Sequence, residues 1–152
     1  VTARPINYST VIDPMKTVTE CTELLARHGA RKILTEYGPD RQPTGLSFQV
    51  DAPWGPQQFR MEVNPEGTYR VLAMARKRGE IAPRFATREQ AARVAWRVLK
   101  TWVEVCLALS ETGIVNLTQA MLSFAMTGPD TTQWDDFATA RAITAGGGDD
   151  QA

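Results

Sequence analysis

The stretch ATREQAARVAWRVLKTWVEVCLALSETG, residues 86–113, decides the fold. Thr87 and Gln90 form a Thr-x-x-Gln pattern, in which a side-chain oxygen caps the free N–H groups of a helix start. Behind the cap, Ala91, Ala95, Val98, Leu99, Trp102, Cys106 and Leu109 recur at about 100° per residue, and Val94 and Val105 widen that face. Arg93, Arg97, Lys100 and Glu104 fall opposite, with Trp96 at the border of their stripe. The pattern predicts a helix of roughly 22 residues, about 33 Å long, that spans the domain and packs it together. On this reading Trp102 is core and Trp96 stands partly exposed beside cations.

Upstream, Asp13 before Pro14 gives a cap and a first-turn proline. Val18, Cys21, Leu24, Leu25 and His28 follow at helical spacing, and Gly29 provides the stop, so a helix is expected over about 14–28. RKILTEY (31–37), LSFQV (46–50) and QQFRMEV (57–63) read as three strands. The last two alternate, Leu46, Phe48 and Val50 on one side and Phe59, Met61 and Val63 likewise. Short connections make them an antiparallel meander. NPEG (64–67) is expected as a turn. Residues 68–78 fit both a strand and a helix; the alanines, Met74 and the long basic residues favour helix. Asn116 and Gln119 announce a short helix through Leu117, Met121, Leu122 and Ala125. Thr132 and Asp135 announce a last helix carrying Trp134, Phe137, Ala138 and Ile143. The fold class is α+β: an N-terminal helix, a small three-stranded antiparallel meander, then a long amphipathic helix and shorter C-terminal helices on one face of the sheet. One domain over 1–143 and a mobile Gly/Asp-rich tail over 144–152 are expected.

A chain of 152 residues with 43% hydrophobic and 22% charged residues buries a core without staples. It has no apolar run long enough for a membrane span, and its first residues lack a signal-peptide core, so the expected compartment is the cytoplasm. Val1 reads as an alternative start codon or the edge of a trimmed segment. Cys21 and Cys106 both fall on apolar stripes and read as small buried hydrophobes. With one histidine, His28, and no Cys-x-x-Cys, no metal or other cofactor is expected. His28 lies at a helix C-terminus, where the dipole favours a positive imidazole. No phosphate loop or nucleophile elbow is present, and the chain is read as non-enzymatic. The one hydrolytic alternative is a metal-dependent nuclease built from Glu36, Asp40, Asp51 and Glu62 in or near the strands.

Charge is segregated. Residues 70–100 hold nine Lys or Arg against two Glu, whereas 105–152 hold one Arg against six acids, so the formal neutrality is an average. A patch of that sign attracts polyanions. Arg76, Lys77, Arg78, Arg84, Arg88, Arg93, Arg97 and Lys100 are the expected phosphate contacts, and Trp96 the residue on which a base stacks. Single-stranded nucleic acid is favoured, because a 22-residue helix is too long to be a recognition helix. Two further readings stay open: a host or phage protein docking on the same basic surface, and a face neutralised by Glu89, Glu104 or the acidic C-terminal part. Trp54 and Trp134 suit either a subunit contact, making a homo-oligomer, or the ends of the core. The long stretch, with TVTECTELLARHGARKILTEYG before it, resembles a group of small phage- and prophage-encoded proteins over about residues 17–126. That resemblance implies phage biology and defines no catalytic residue.

Overall fold

The structure, a computed structural model, describes residues 4–146, with side chains through 143. Its first helix, α1 (Pro14–Arg27), is capped by Asp13, whose carboxylate accepts from the Met15 N–H, and closes on His28 ahead of Gly29 at φ +91°. Three strands follow: β1 (Arg31–Tyr37), β2 (Pro43–Ala52) and β3 (Gly55–Glu62). They form one antiparallel sheet in the order β1-β2-β3. The β2–β3 ladder runs unbroken from Gly45↔Glu62 to Ala52↔Gly55, so Pro53 and Trp54 form a two-residue hairpin tip. Gly55 at φ +116° takes the backbone angle that this tight turn requires.

Alternation sets the buried face of the sheet. Leu46, Phe48, Phe59 and Met61 are fully buried, with the Phe48 and Phe59 rings stacked 5.2 Å apart. The opposite face is polar: Arg60 reaches Glu36 and Glu62, each at 2.9 Å.

The segment 64–78 is one helix, α2 (Pro65–Lys77), starting three residues before the ambiguous stretch. NPEG is therefore a helix start and not a turn. Asn64 accepts from the Gly67 N–H, and Pro65 occupies the first helical position, where its missing N–H costs nothing. After a single 3-10 turn (Pro83–Phe85), Thr87 caps α3 (Arg88–Glu111) by accepting from the Gln90 N–H. The Gln90 side chain does not complete a capping box. Its amide holds the carbonyls of Tyr8 and Thr10, at 2.9 and 2.8 Å, and straps the N-terminal segment across α3.

Two buried clusters share α3. Trp96, Val103, Cys106 and Leu107 meet α1 and the sheet, together with Met121 and Ala125. Ala91 and Val94 meet Leu72 and Ala75 of α2, with Ile81 and Ala86. The rotation of α3 differs from the sequence reading. Trp96 is 1% exposed and its indole N–H donates to the Pro43 carbonyl at 3.1 Å, whereas Trp102 is 42% exposed. The core axis of α3 is turned toward Trp96, Val103 and Leu107, and this leaves Val98, Trp102 and Val105 at the edge.

Asn116 and Gln119 form a full capping box at the expected helix start, yet α4 (Leu117–Ala120) is one turn and gives way to a 3-10 turn, Leu122–Phe124. The last helix, α5 (Gln133–Gly146), starts at Thr132, whose N–H donates to the Asp135 carboxylate at 2.8 Å. It extends into the expected tail as far as Gly146; residues 147–152 lie outside the described residues. The fold is α+β, with no helix among the described residues long and apolar enough to cross a membrane.

Candidate interaction surface

The basic stretch divides in two. Along α3, four cations face four carboxylates. Arg88 is bonded to Glu66, Arg93 to Glu89 at 2.8 Å, Arg97 to Glu20 at 2.5 Å, and Lys100 to Glu104 at 2.5 Å, with Glu20 at 3.6 Å. The Arg97 guanidinium, backed by Lys100, holds the Glu20 carboxyl below its ordinary range. The two intrahelical pairs are the ones expected. Glu20 and Glu66 come from α1 and α2 and not from the acidic C-terminal part. A phosphate approaching this stripe meets charges already matched within 4 Å, and the side chains of Arg97 and Lys100 are only 18% and 16% exposed.

Arg88, Arg93 and Trp96 do converge, on a cleft of about 630 Å³. Its walls also carry Asp13, Asp40 and Glu89, so the carboxylates outnumber the cations and the cleft does not favour an anion. Trp96 forms its floor from within the core. The expectation that a base stacks on Trp96 is corrected by its burial: no ring face is open to solvent.

The N-terminal part of the basic stretch is different. Arg76, Lys77, Arg78 and Arg84 are exposed around the end of α2 and the following turn. Arg78 lies 3.9 Å from Glu80, and Arg84 sits over the Phe85 ring at 4.7 Å. Among the described residues, no carboxylate lies within ion-pair distance of Arg76, Lys77 or Arg84.

A feature missed in the sequence lies between α2 and α3. Val98 and Trp102 of α3 line a groove of about 580 Å³ with Val63, Leu99 and Phe124. Val98 also lines a second groove of about 440 Å³ with Val71 of α2 and Ile6. Asn64, Thr68 and Val98 border both, so the two grooves adjoin. Val71, Val98 and Trp102 are all more than two-fifths exposed, which makes one apolar surface on two packed helices. Helical spacing places Arg70, Met74 and Lys77 on the outer side of Val71, and Glu62 is the charged residue among those lining the grooves. The signal was present as the i, i+4, i+7 series Val98, Trp102, Val105, but the same series also describes a core face.

The carboxylates considered for a nuclease are engaged elsewhere. Glu36 and Glu62 clasp Arg60, Asp51 lies 3.5 Å from Arg31, and Asp40 caps its own turn at the Gln42 N–H. No three His, Cys, Asp or Glu side chains among the described residues are grouped to hold a metal ion. His28 donates from Nδ1 to the Leu24 carbonyl at 2.8 Å and from Nε2 to Glu111 at 2.6 Å. Both bonds stabilise the imidazolium and push its pKa up, the Leu24 bond most. Cys21 and Cys106 are free thiols in the core; burial pushes Cys21 up to about 12 and raises Cys106. No protein-family model, curated protein or solved structure matches the chain.

Proposed function

We propose that this protein is a non-catalytic interaction domain that docks an amphipathic helix of a partner protein against α2 and α3. The supporting observation is the pair of adjoining apolar grooves along Val71, Val98 and Trp102, three side chains that α2 and α3 leave exposed. Contiguous exposed apolar surface with a polar rim is the usual mark of a docking site, and a groove between helices takes apolar anchors at i, i+3 and i+4. Glu62 lines the groove and Arg70 and Lys77 stand on the outer side of α2, so the partner helix carries charges of both signs beside its apolar face. The resemblance to phage-encoded proteins makes a host or phage protein the natural partner.

The test is co-purification with tagged wild type, Val98→Asp and Arg84→Glu, then reconstitution with the purified partner. The expected result is loss with Val98→Asp and retention with Arg84→Glu. Retention with Val98→Asp refutes the groove reading.

A second reading, binding of single-stranded nucleic acid, rests on Arg76, Lys77 and Arg84, whose charge no carboxylate matches among the described residues. It is confined to the last turn of α2 and the loop that follows. Gel-shift titration at two salt concentrations checks it. A loop contacting two or three phosphates gives a log–log salt slope of about −1.4 to −2. The double variant Lys77→Glu/Arg84→Glu removes that binding, while Arg93→Glu leaves it unchanged.

A further inference from the structure

The last helix leaves its aromatic face uncovered. α5 packs on the 3-10 turn Leu122–Phe124 and otherwise extends into solvent, with Trp134 59% and Phe137 52% exposed. Their rings lie 5.9 Å apart, and the Arg141 guanidinium sits 5.2 Å from the Phe137 centroid. Trp134, Phe137 and Arg141 thus form a preassembled i, i+3, i+7 ridge. A helix of 14 residues is marginal in water without a packed face.

The helix does not cover the groove of its own chain, and its attachment keeps it away. Met126 N–H donates to the Gln58 carbonyl at 2.7 Å, and Gln57 donates back to the Met126 carbonyl at 3.2 Å. Gln133 N–H donates to the Ala125 carbonyl at 2.9 Å, and Thr127 pairs with Thr131. These bonds pin the turn before α5 to the first half of β3. Swinging α5 onto its own α2–α3 groove breaks them.

We propose that α5 of a second copy fills the groove, and that two copies do so reciprocally about a two-fold axis; this rests on the groove reading above and names its occupant in the free protein. Three observations carry it. The ridge is aromatic and the groove is apolar. The ridge carries Arg141 and the groove is lined by Glu62, a pair of opposite sign, while Asp135 and Asp136 in the first turn of α5 suit the cations on the outer side of α2. Phe124, which lines the groove, belongs to the 3-10 turn on which α5 packs, so ridge and groove lie close enough for one dyad to exchange them. Self-complementary patches of this kind close as an isologous pair. At about 150–250 Å² per ring, the exposed parts of Trp102, Trp134 and Phe137 offer roughly 300 Å² per copy. Two copies give about 600 Å² from aromatics alone, half of the roughly 1,200 Å² at which specific interfaces begin, so the dimer requires the exposed Val71, Val98 and Ile6 and their polar neighbours to supply the other half.

The experiment is light scattering coupled to size exclusion on the full chain over a hundredfold range of concentration. The expected mass at the upper end is twice the 16.8 kDa of one chain. Trp134→Ala/Phe137→Ala and, separately, Val98→Asp each give a monomer whose circular dichroism is unchanged, because all three side chains are exposed; Val71→Asp serves if Val98→Asp does not fold. Mixing the two variants restores a heterodimer, since one ridge and one groove remain intact. A wild-type monomer at every concentration overturns the proposal, as does a dimer indifferent to Val98→Asp, or a mixture that stays monomeric. If the wild type is a monomer and Val98→Asp still abolishes partner binding, the dimer falls and the groove reading stands.

Discussion

Replacing Trp96 and Trp102 in turn by alanine tests the rotation of α3, on which the location of every surface residue depends. A tryptophan side chain presents at most about 250 Å². With 1% exposed, Trp96 buries nearly all of it, an upper bound of about 6 kcal/mol at 25 cal/mol/Å². Tryptophan-to-alanine changes in cores cost about 3–5 kcal/mol, and the lost indole bond leaves the Pro43 carbonyl without its donor. With 42% exposed, Trp102 covers roughly 145 Å², an upper bound near 3.5 kcal/mol. Alanine retains part of that, and the groove wall closes over the remainder without an enclosed cavity, so about 2 kcal/mol is expected. Urea unfolding followed by far-ultraviolet circular dichroism, which avoids the changed fluorophore, then places Trp96→Ala about 2 kcal/mol below Trp102→Ala. The reverse order refutes the assigned rotation and closes the groove.

Two further outcomes follow from the buried and paired groups. His28 is the single histidine, so its titration is read directly by NMR, and it is expected above the ordinary 6.5. Because the folded value is raised, the bonds of the imidazolium contribute stability that is fully present below about pH 6.5 and is lost as pH rises through the folded pKa. Glu111→Gln lowers the value only in part, since the Leu24 carbonyl is the larger cause; a His28 pKa at or below 6.5 contradicts the geometry. The thiols of Cys21 and Cys106 are expected to resist an aromatic disulfide reagent in the native protein and to react in urea, two per chain. Rapid native reaction at pH 8 contradicts their burial.

Local signals carried most of the fold. Asp13-Pro14 and Gly29 bounded α1, Thr87 opened α3, and alternation in β2 and β3 put Phe48 and Phe59 on one buried face. The rotation of α3 was not legible, because apolar residues occupy much of its circumference. Ala95, Val98 and Trp102 satisfy the helical period as well as Ala95, Trp96, Val103 and Cys106 do. What selects the second set is tertiary: the Pro43 carbonyl receives the Trp96 indole, and α1 and the sheet cover that side. The candidate site suffered from the same limit. Arg93 and Lys100 found their i, i+4 partners as read, but Glu20 and Glu66 reach Arg97 and Arg88 across 77 and 22 residues, and no local pattern reports such a meeting. At residue 64 the error was one of turn chemistry, since Asn-Pro opens a helix as readily as it closes a strand.

The central claim is that this molecule meets its partner through the α2–α3 groove and not through the α3 cations. Site-specific photocrosslinking in the producing cell tests it directly, with a benzophenone side chain placed at Val98 in one variant and at Arg84 in another. A polypeptide adduct at position 98 that disappears when Trp102→Asp is added is the predicted result. Adducts at position 84 alone, or to nucleic acid alone, contradict it.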